Sequence, residues 1–174
     1  MRIDESVSGR MNTGVERVSW ALQVDAGVGP LRFGMSSAEV AAALHVSEPQ
    51  SRAGGPFDRE DYPDGVKTFY DEDELVGVAL DAVMGPQAFF AGFSLNGSDP
   101  RRGREYFLDY CRDHDRSGRF TPDASFVLLD SGVVLREQQV GGVRLTRPLF
   151  VTLELMRRVV ERDSYELPLE GVTD

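Results

Sequence analysis

Apolar and polar positions alternate along much of this chain, and the alternation gives way to a helical period in three places. Val18, Trp20, Leu22 and Val24 recur at every second residue, which predicts a strand over 18–24. Val66–Tyr70 and Leu75–Leu80 are apolar runs of strand length, joined by the polar tetrapeptide Asp71–Glu74 as a hairpin connection. Ala88–Leu95 predicts a third strand, linked to the second by Met84-Gly-Pro-Gln87. Ser125–Leu129 and Val133–Arg136 flank Asp130-Ser-Gly132, a short turn whose glycine can take positive φ. Gly141-Gly142 marks another turn before Val143–Leu145, and residues 47–65, with Gly54-Gly-Pro56 and Pro63-Asp-Gly65, read as loop.

Helical spacing begins at 37–45. Ser36 and Glu39 form a capping box, the Ser36 hydroxyl accepting from the Glu39 amide and the Glu39 carboxylate from the Ser36 amide. Val40 and Leu44 then share a face, with Phe33 and Met35 before the cap to staple the entry. A second helix starts at Pro100, a favoured first-turn residue, with Ser98 or Asp99 as cap. It carries Tyr106, Phe107, Tyr110 and Cys111, and 118–122 ends it. The stretch 148–162 satisfies two patterns. Pro148, Leu149, Leu153, Met156 and Val160 fit a helix, whereas Val151, Leu153 and Leu155 fit a strand. Arg157, Arg158 and Arg162 near its end, where a helix dipole favours cations, tip the reading to helix. These elements predict an α+β fold, a mostly antiparallel sheet of about six strands with two or three helices packed on one face. Residues 1–16 read as a flexible lead-in, 17–162 as one domain, and 163–174 as an acidic tail. The domain is open to division into two degenerate helix-plus-strand modules, about 17–95 and 96–162, since Phe93–Pro100 echoes the strand, turn and helix start of the first half.

The run Leu31-Arg-Phe-Gly-Met-Ser36, followed by Ser-Ala-Glu-Val40, resembles the signature of BamE/SmpA-like domains. The same signature occurs in the secreted beta-lactamase inhibitor proteins, which carry a tandem pair of such modules, and in actinobacterial proteins of immunity type. The resemblance spans residues 29–50. It implies short helices against an antiparallel sheet, action by binding other proteins, and no cofactor. Where the family pattern ends this helix with Leu-Gly-x-Pro, this chain reads Leu44-His-Val-Ser-Glu-Pro49. The inhibitors' paired cysteines are also missing, Cys111 being the only cysteine.

Charge narrows the partners. The 174 residues carry a net charge of −10, which argues against nucleic acid and anionic membrane, both of which need a basic surface. It favours a basic protein partner through complementary steering. Between Asp58 and Asp81 nine acidic residues face two basic ones, a local −7. The candidate partner-binding residues are Asp58, Glu60, Asp61, Tyr62, Asp64, Tyr70, Asp71, Glu72, Asp73 and Glu74. Carboxylates would form the rim, and Tyr62 and Tyr70 the desolvated anchors. The plain alternative is a solvated loop and hairpin tip over buried aromatics. Arg101-Arg-Gly-Arg104 is a small basic patch that could meet the acidic segment of another copy and so support a homodimer.

Candidate chemistry adds little. Asp71-x-Asp73 lacks the glycine and the distal glutamate of a calcium loop. His45, His114 and Cys111 do not make a zinc set, and Cys111 with His114 lacks a third group to orient a thiol nucleophile. Ser131 is outside any G-x-S-x-G elbow, and Gly27-Val-Gly-Pro30 lacks the lysine of a phosphate loop. The expectation is a non-catalytic domain without metal or cofactor, an immunity-like inhibitor that neutralises a toxin or enzyme by occlusion. A small enzyme using carboxylate acid–base chemistry and a self-associating structural subunit are the alternatives. A single cysteine, no apolar signal core in Met1–Ser6 and no bilayer-length apolar stretch set the expected compartment as the cytoplasm.

Overall fold

A computed structural model describes residues 17–121 and 125–161. The lead-in expected at 1–16 and the tail expected at 163–174 lie outside the described residues. The chain runs through β1 (Ser19–Gln23), β2 (Gly27–Val28), β3 (Leu31–Arg32), α1 (Ser37–Ala43), β4 (Ser51–Ala53), β5 (Asp58–Tyr62), β6 (Val66–Asp71) and β7 (Glu74–Leu80). It continues through β8 (Gln87–Phe90), β9 (Phe93–Ser94), α2 (Pro100–His114), β10 (Gly118–Phe120), β11 (Phe126–Leu128), β12 (Val133–Val140), β13 (Val143–Val151) and α3 (Leu153–Glu161).

Local chemistry sets the helix ends. The Glu39 amide donates to Ser36 Oγ at 3.3 Å, and the Ser36 amide to Glu39 Oε2 at 2.8 Å, which closes the capping box. At the other end of α1, His45 N–H donates to Ala42 O at 3.1 Å and Val46 N–H to Ala41 O at 3.0 Å. This is a Schellman motif, and His45, at φ 57°, holds the left-handed position that glycine usually fills. In α2, Asp99 Oδ1 accepts from the Arg101 amide at 2.8 Å, so Asp99 is the cap. The helix stops at His114, with Asp115 left-handed at φ 52°. Residues 118–120, expected as the helix end, instead form strand β10.

Among the described residues, the single sheet of about six strands is replaced by two sheets. The larger has eight antiparallel strands in the order β10-β11-β12-β13-β7-β6-β5-β4. The smaller has five in the order β3-β2-β1-β8-β9 and is mixed, because β1 and β8 run parallel from Ser19↔Gln87 to Ala21↔Phe89. Two strands, β4 and β5, come from the segment expected to be loop. β5 reads Asp-Arg-Glu-Asp-Tyr, and of its two inward positions Tyr62 joins the core while Glu60 is held by hydrogen bonds, so it carries no hydrophobic alternation. The third expected strand is a hairpin, since Ala91 and Gly92 take positive φ between β8 and β9. The Tyr106 hydroxyl donates to Ala91 O and pins that turn to α2.

The larger sheet is built twice over. α1 precedes the four-stranded meander β4–β7, α2 precedes the four-stranded meander β10–β13, and the last strands of each pair antiparallel at Gly77↔Val151, Val78↔Phe150 and Ala79↔Leu149. Alternate residues feed opposite faces. Tyr62, Val66, Val78, Leu128, Leu135 and Phe150 join the core under α1, α2 and the smaller sheet. At its centre, the Phe107 ring lies 5.7–5.9 Å from the rings of Phe90, Phe93 and Phe126. Phe69, Ala79, Val134, Leu149 and Val151 join Leu155 and Met156 of α3 on the other face. Helices therefore pack on both faces, not one.

Of the stretch 148–162, the described part, 148–161, combines both sequence patterns in series. Residues up to Val151 are strand and the helix begins at Leu153, so Pro148 lies inside β13 rather than in a first helical turn. Val151 N–H donates to Gly132 O on the β12 side, and Thr152 N–H to Val76 O on the β7 side. By alternation, the missing N–H of Pro148 faces the β7 side, one residue beyond the last paired position Leu149, where no ladder bond is lost. Among the described residues, no helix is long and apolar enough to cross a membrane.

Candidate functional site

The fold distributes the acidic segment instead of gathering it. β5 and β6 run antiparallel through the turn Pro63–Gly65, so Asp58 sits opposite Tyr70, beside the hairpin tip, while Asp64 lies at the far end of the same strands. The tip is a two-residue turn with Glu72 at φ 50° and Asp73 at φ 65°, the geometry of a type I′ hairpin. Glu60 and Asp61 are neighbours on a strand and point to opposite faces. Asp61 accepts from the Ser51 hydroxyl at 2.6 Å and from Arg59 at 3.4 Å. Asp71 pairs with Arg158 of α3 at 2.9 Å and so ties the hairpin to the opposite face. Asp58, Asp64, Glu72, Asp73 and Glu74 are exposed.

Tyr62 and Tyr70 are not surface anchors. They are 3% and 4% exposed and belong to the core beneath α1. Their partner is Glu60, itself only 5% exposed. The Ser37 hydroxyl donates to Glu60 Oε1 at 2.6 Å, Arg52 Nε to the same oxygen at 3.1 Å, and the Tyr62 hydroxyl to Oε2 at 2.8 Å. Thr68 donates to the Tyr70 hydroxyl at 3.1 Å in the same buried layer. Two links set this geometry. Gly34 N–H donates to Leu75 O at 2.8 Å and Leu75 N–H to Met35 O at 2.9 Å, clamping the entry of α1 to the start of β7. The capping box then fixes the first turn, which presents Ser37 to β5.

Of these groups, Ser37, Glu60 and Tyr70 line a cleft of about 450 Å³ between the start of α1, β4, β5 and the hairpin tip, with Arg52, Asp58, Arg59 and Asp73 among its walls. Burial on its own would raise the pKa of the Glu60 carboxyl, but hydrogen bonds from Ser37, Tyr62, Tyr70 and Arg52 outweigh it and hold the group below its ordinary value. Burial, then the neighbouring carboxylate, pushes Tyr62 up to about 12, and burial pushes Tyr70 up as well. At neutral pH the floor is therefore a carboxylate held by neutral hydroxyls. Its ionised oxygens suit ion pairing more than proton donation.

Of the ten candidates, Asp58, Glu60, Tyr70 and Asp73 meet at this cleft. Tyr62 and Asp64 line a second cleft on the other side of α1. Asp61 and Asp71 make contacts on the opposite face of the sheet or to α3. Sequence reasoning missed Ser37 and Arg52. Ser37 hides as a helix-start serine next to the cap, and Arg52 lies in a segment without strand periodicity. Another omission is Arg17, whose guanidinium donates to the carbonyls of Asp81, Ala82, Met84, Gly85 and Pro86 at 2.7–3.3 Å and gathers that loop around it. Asp81 works in the same loop, accepting from the amides of Val83 and Met84 and from Gln138. Burial opposes its ionisation, and those bonds with the charge of Arg147 hold its pKa below the usual value. Among the described residues, no three His, Cys, Asp or Glu side chains group so as to hold a metal ion. Compared with known proteins, the chain matches no family model, no curated protein and no solved structure.

Proposed function

We propose that this protein is a non-catalytic binding domain, an immunity-like inhibitor that docks a basic partner on the hairpin-tip end of its larger sheet. The observation that carries the reading is the set of exposed carboxylates Asp58, Glu72, Asp73 and Glu74 at the end of the sheet where a cleft runs down to the ionised Glu60. A lysine or arginine of the partner is attracted by the rim and occluded from its own substrate once seated. Tyr62 and Tyr70 act from beneath, by keeping Glu60 charged and in place. The helix-plus-four-strand plan, present twice, supports the resemblance to inhibitor proteins made of tandem modules. The lowered pKa of Glu60 weighs against the acid–base enzyme.

The test uses the tagged full chain in a lysate of the source organism, at low and high salt, beside the variant Asp58→Lys/Glu72→Lys/Asp73→Lys. The expected result is one basic protein, held at low salt, released at high salt, lost by the variant, and inhibited when bound. Retention by the variant, a bound protein with full activity, or no capture at either salt overturns the proposal.

A further inference from the structure

We infer that the cleft on the other side of α1 is a binding site for a small ligand with a ring-bearing apolar body and one cationic end. This site is separate from the acidic hairpin face and does not depend on it. The cleft, of about 530 Å³, lies between β1, the C-terminal end of α1 and the turn that joins β5 to β6. That volume is in the range of small-molecule sites, and the walls have their chemistry, with Trp20, Leu44, Val46, Tyr62 and Val66 facing one space.

The polar groups at the cleft select the charge of the occupant. Among the described residues, Arg17 is the one arginine or lysine on the walls, and its guanidinium is committed to five backbone carbonyls. Among those residues an anion therefore finds no uncommitted arginine or lysine there. Asp64 is exposed at the wall and offers a carboxylate, while the His45 ring at the rim can give or take a hydrogen bond. A cation at Asp64 leaves its attached ring to pack on the apolar walls.

Backbone contacts hold the wall in place. His45 at φ 57° belongs to the Schellman end of α1, and Asp64 at φ 63° to the turn between β5 and β6. A Cβ on Gly85 would come within 1.8 Å of Asp64 O, so the loop gathered by Arg17 closes directly on the Asp64 backbone and fixes it.

Trp20 is the only tryptophan of the chain, so its emission reports the cleft directly. The probe is phenethylamine, titrated into the full chain, with phenylpropionate as a ligand of similar body and opposite charge. Phenethylamine is expected to change Trp20 emission saturably, phenylpropionate to fail, and Asp64→Asn to weaken phenethylamine about tenfold, as loss of a charge-assisted bond predicts. Asparagine tolerates the left-handed region, so this variant keeps the fold. A second variant, Ala43→Phe, fills the cleft and is expected to abolish the response. No saturable change, equal responses to the two probes, or full affinity in Asp64→Asn overturns the assignment.

Discussion

The Ser37 hydroxyl donates to Glu60 Oε1 at 2.6 Å, across 23 positions of sequence, and joins the first turn of α1 to the middle of β5. That bond helps hold a buried carboxylate between a helix and a sheet. Ser37→Ala leaves the carboxylate one donor short, and a hydrogen bond to a charged group is worth about 1.5–3 kcal/mol. Urea denaturation is expected to show a lower midpoint with an unchanged slope, the mark of lost stability without a change in the surface exposed on unfolding.

Stability is expected to fall at both ends of the pH range. Glu60 and Asp81 have depressed pKa values in the fold, so below their ordinary values of 4.5 and 3.8 the unfolded chain takes up protons first. Their contribution is complete above those values and is lost as pH falls through the folded ones. Tyr62 has a raised pKa, so its contribution is complete below 10 and is lost as pH rises from 10 to about 12. Chemical denaturation across pH checks both limbs. Glu60→Gln is expected to flatten the acid limb.

His45→Gly is expected to stabilise the chain by about 0.5–1 kcal/mol. The residue sits in the left-handed position of a Schellman motif, where glycine carries no Cβ penalty. Its side chain is exposed, so little packing is lost. Thermal denaturation would show a rise of a few degrees. A fall would mean that the His45 side chain contributes contacts worth more than the backbone strain.

Arg17→Met is expected to lower stability by about 2–3 kcal/mol, because five carbonyls lose their shared donor and part of that loop is shielded from water. Arg17→Lys should recover less than half of this, since an ammonium cannot reach five acceptors spread around a planar fork. Denaturant titration of the two variants, with hydrogen exchange at 82–87, separates loss of the loop from global destabilisation.

Legibility in the sequence followed the kind of signal each element carries. The box at Ser36 and Glu39, the cap at Asp99 and the turns at 71–74, 130–132 and 141–142 are short-range features, and the structure keeps all of them. β5 was hidden because Glu60, a charged residue, occupies an inward position and is stabilised there by Tyr62 on its own strand and by Ser37, 23 positions away. The second sheet was hidden because β1 finds its parallel partner only at β8, and no local pattern encodes that pairing. At Pro148–Val151 both faces are buried, so no alternation survives to separate strand from helix. The acidic cluster looked continuous because it was read along a line. The antiparallel pairing of β5 with β6 sets Asp58 beside Tyr70 near the hairpin tip and leaves Asp64 at the far end of the same strands.

The seam between β7 and β13 bears on how the molecule is made. The meander β4–β7 is complete in the chain by Leu80, yet Phe69 and Ala79 on its outer face wait for Leu149, Val151 and Leu155. As the polypeptide leaves the ribosome, its first half therefore carries an uncovered apolar strip and an unpaired strand through the synthesis of some seventy further residues, the interval in which a chaperone has most to protect.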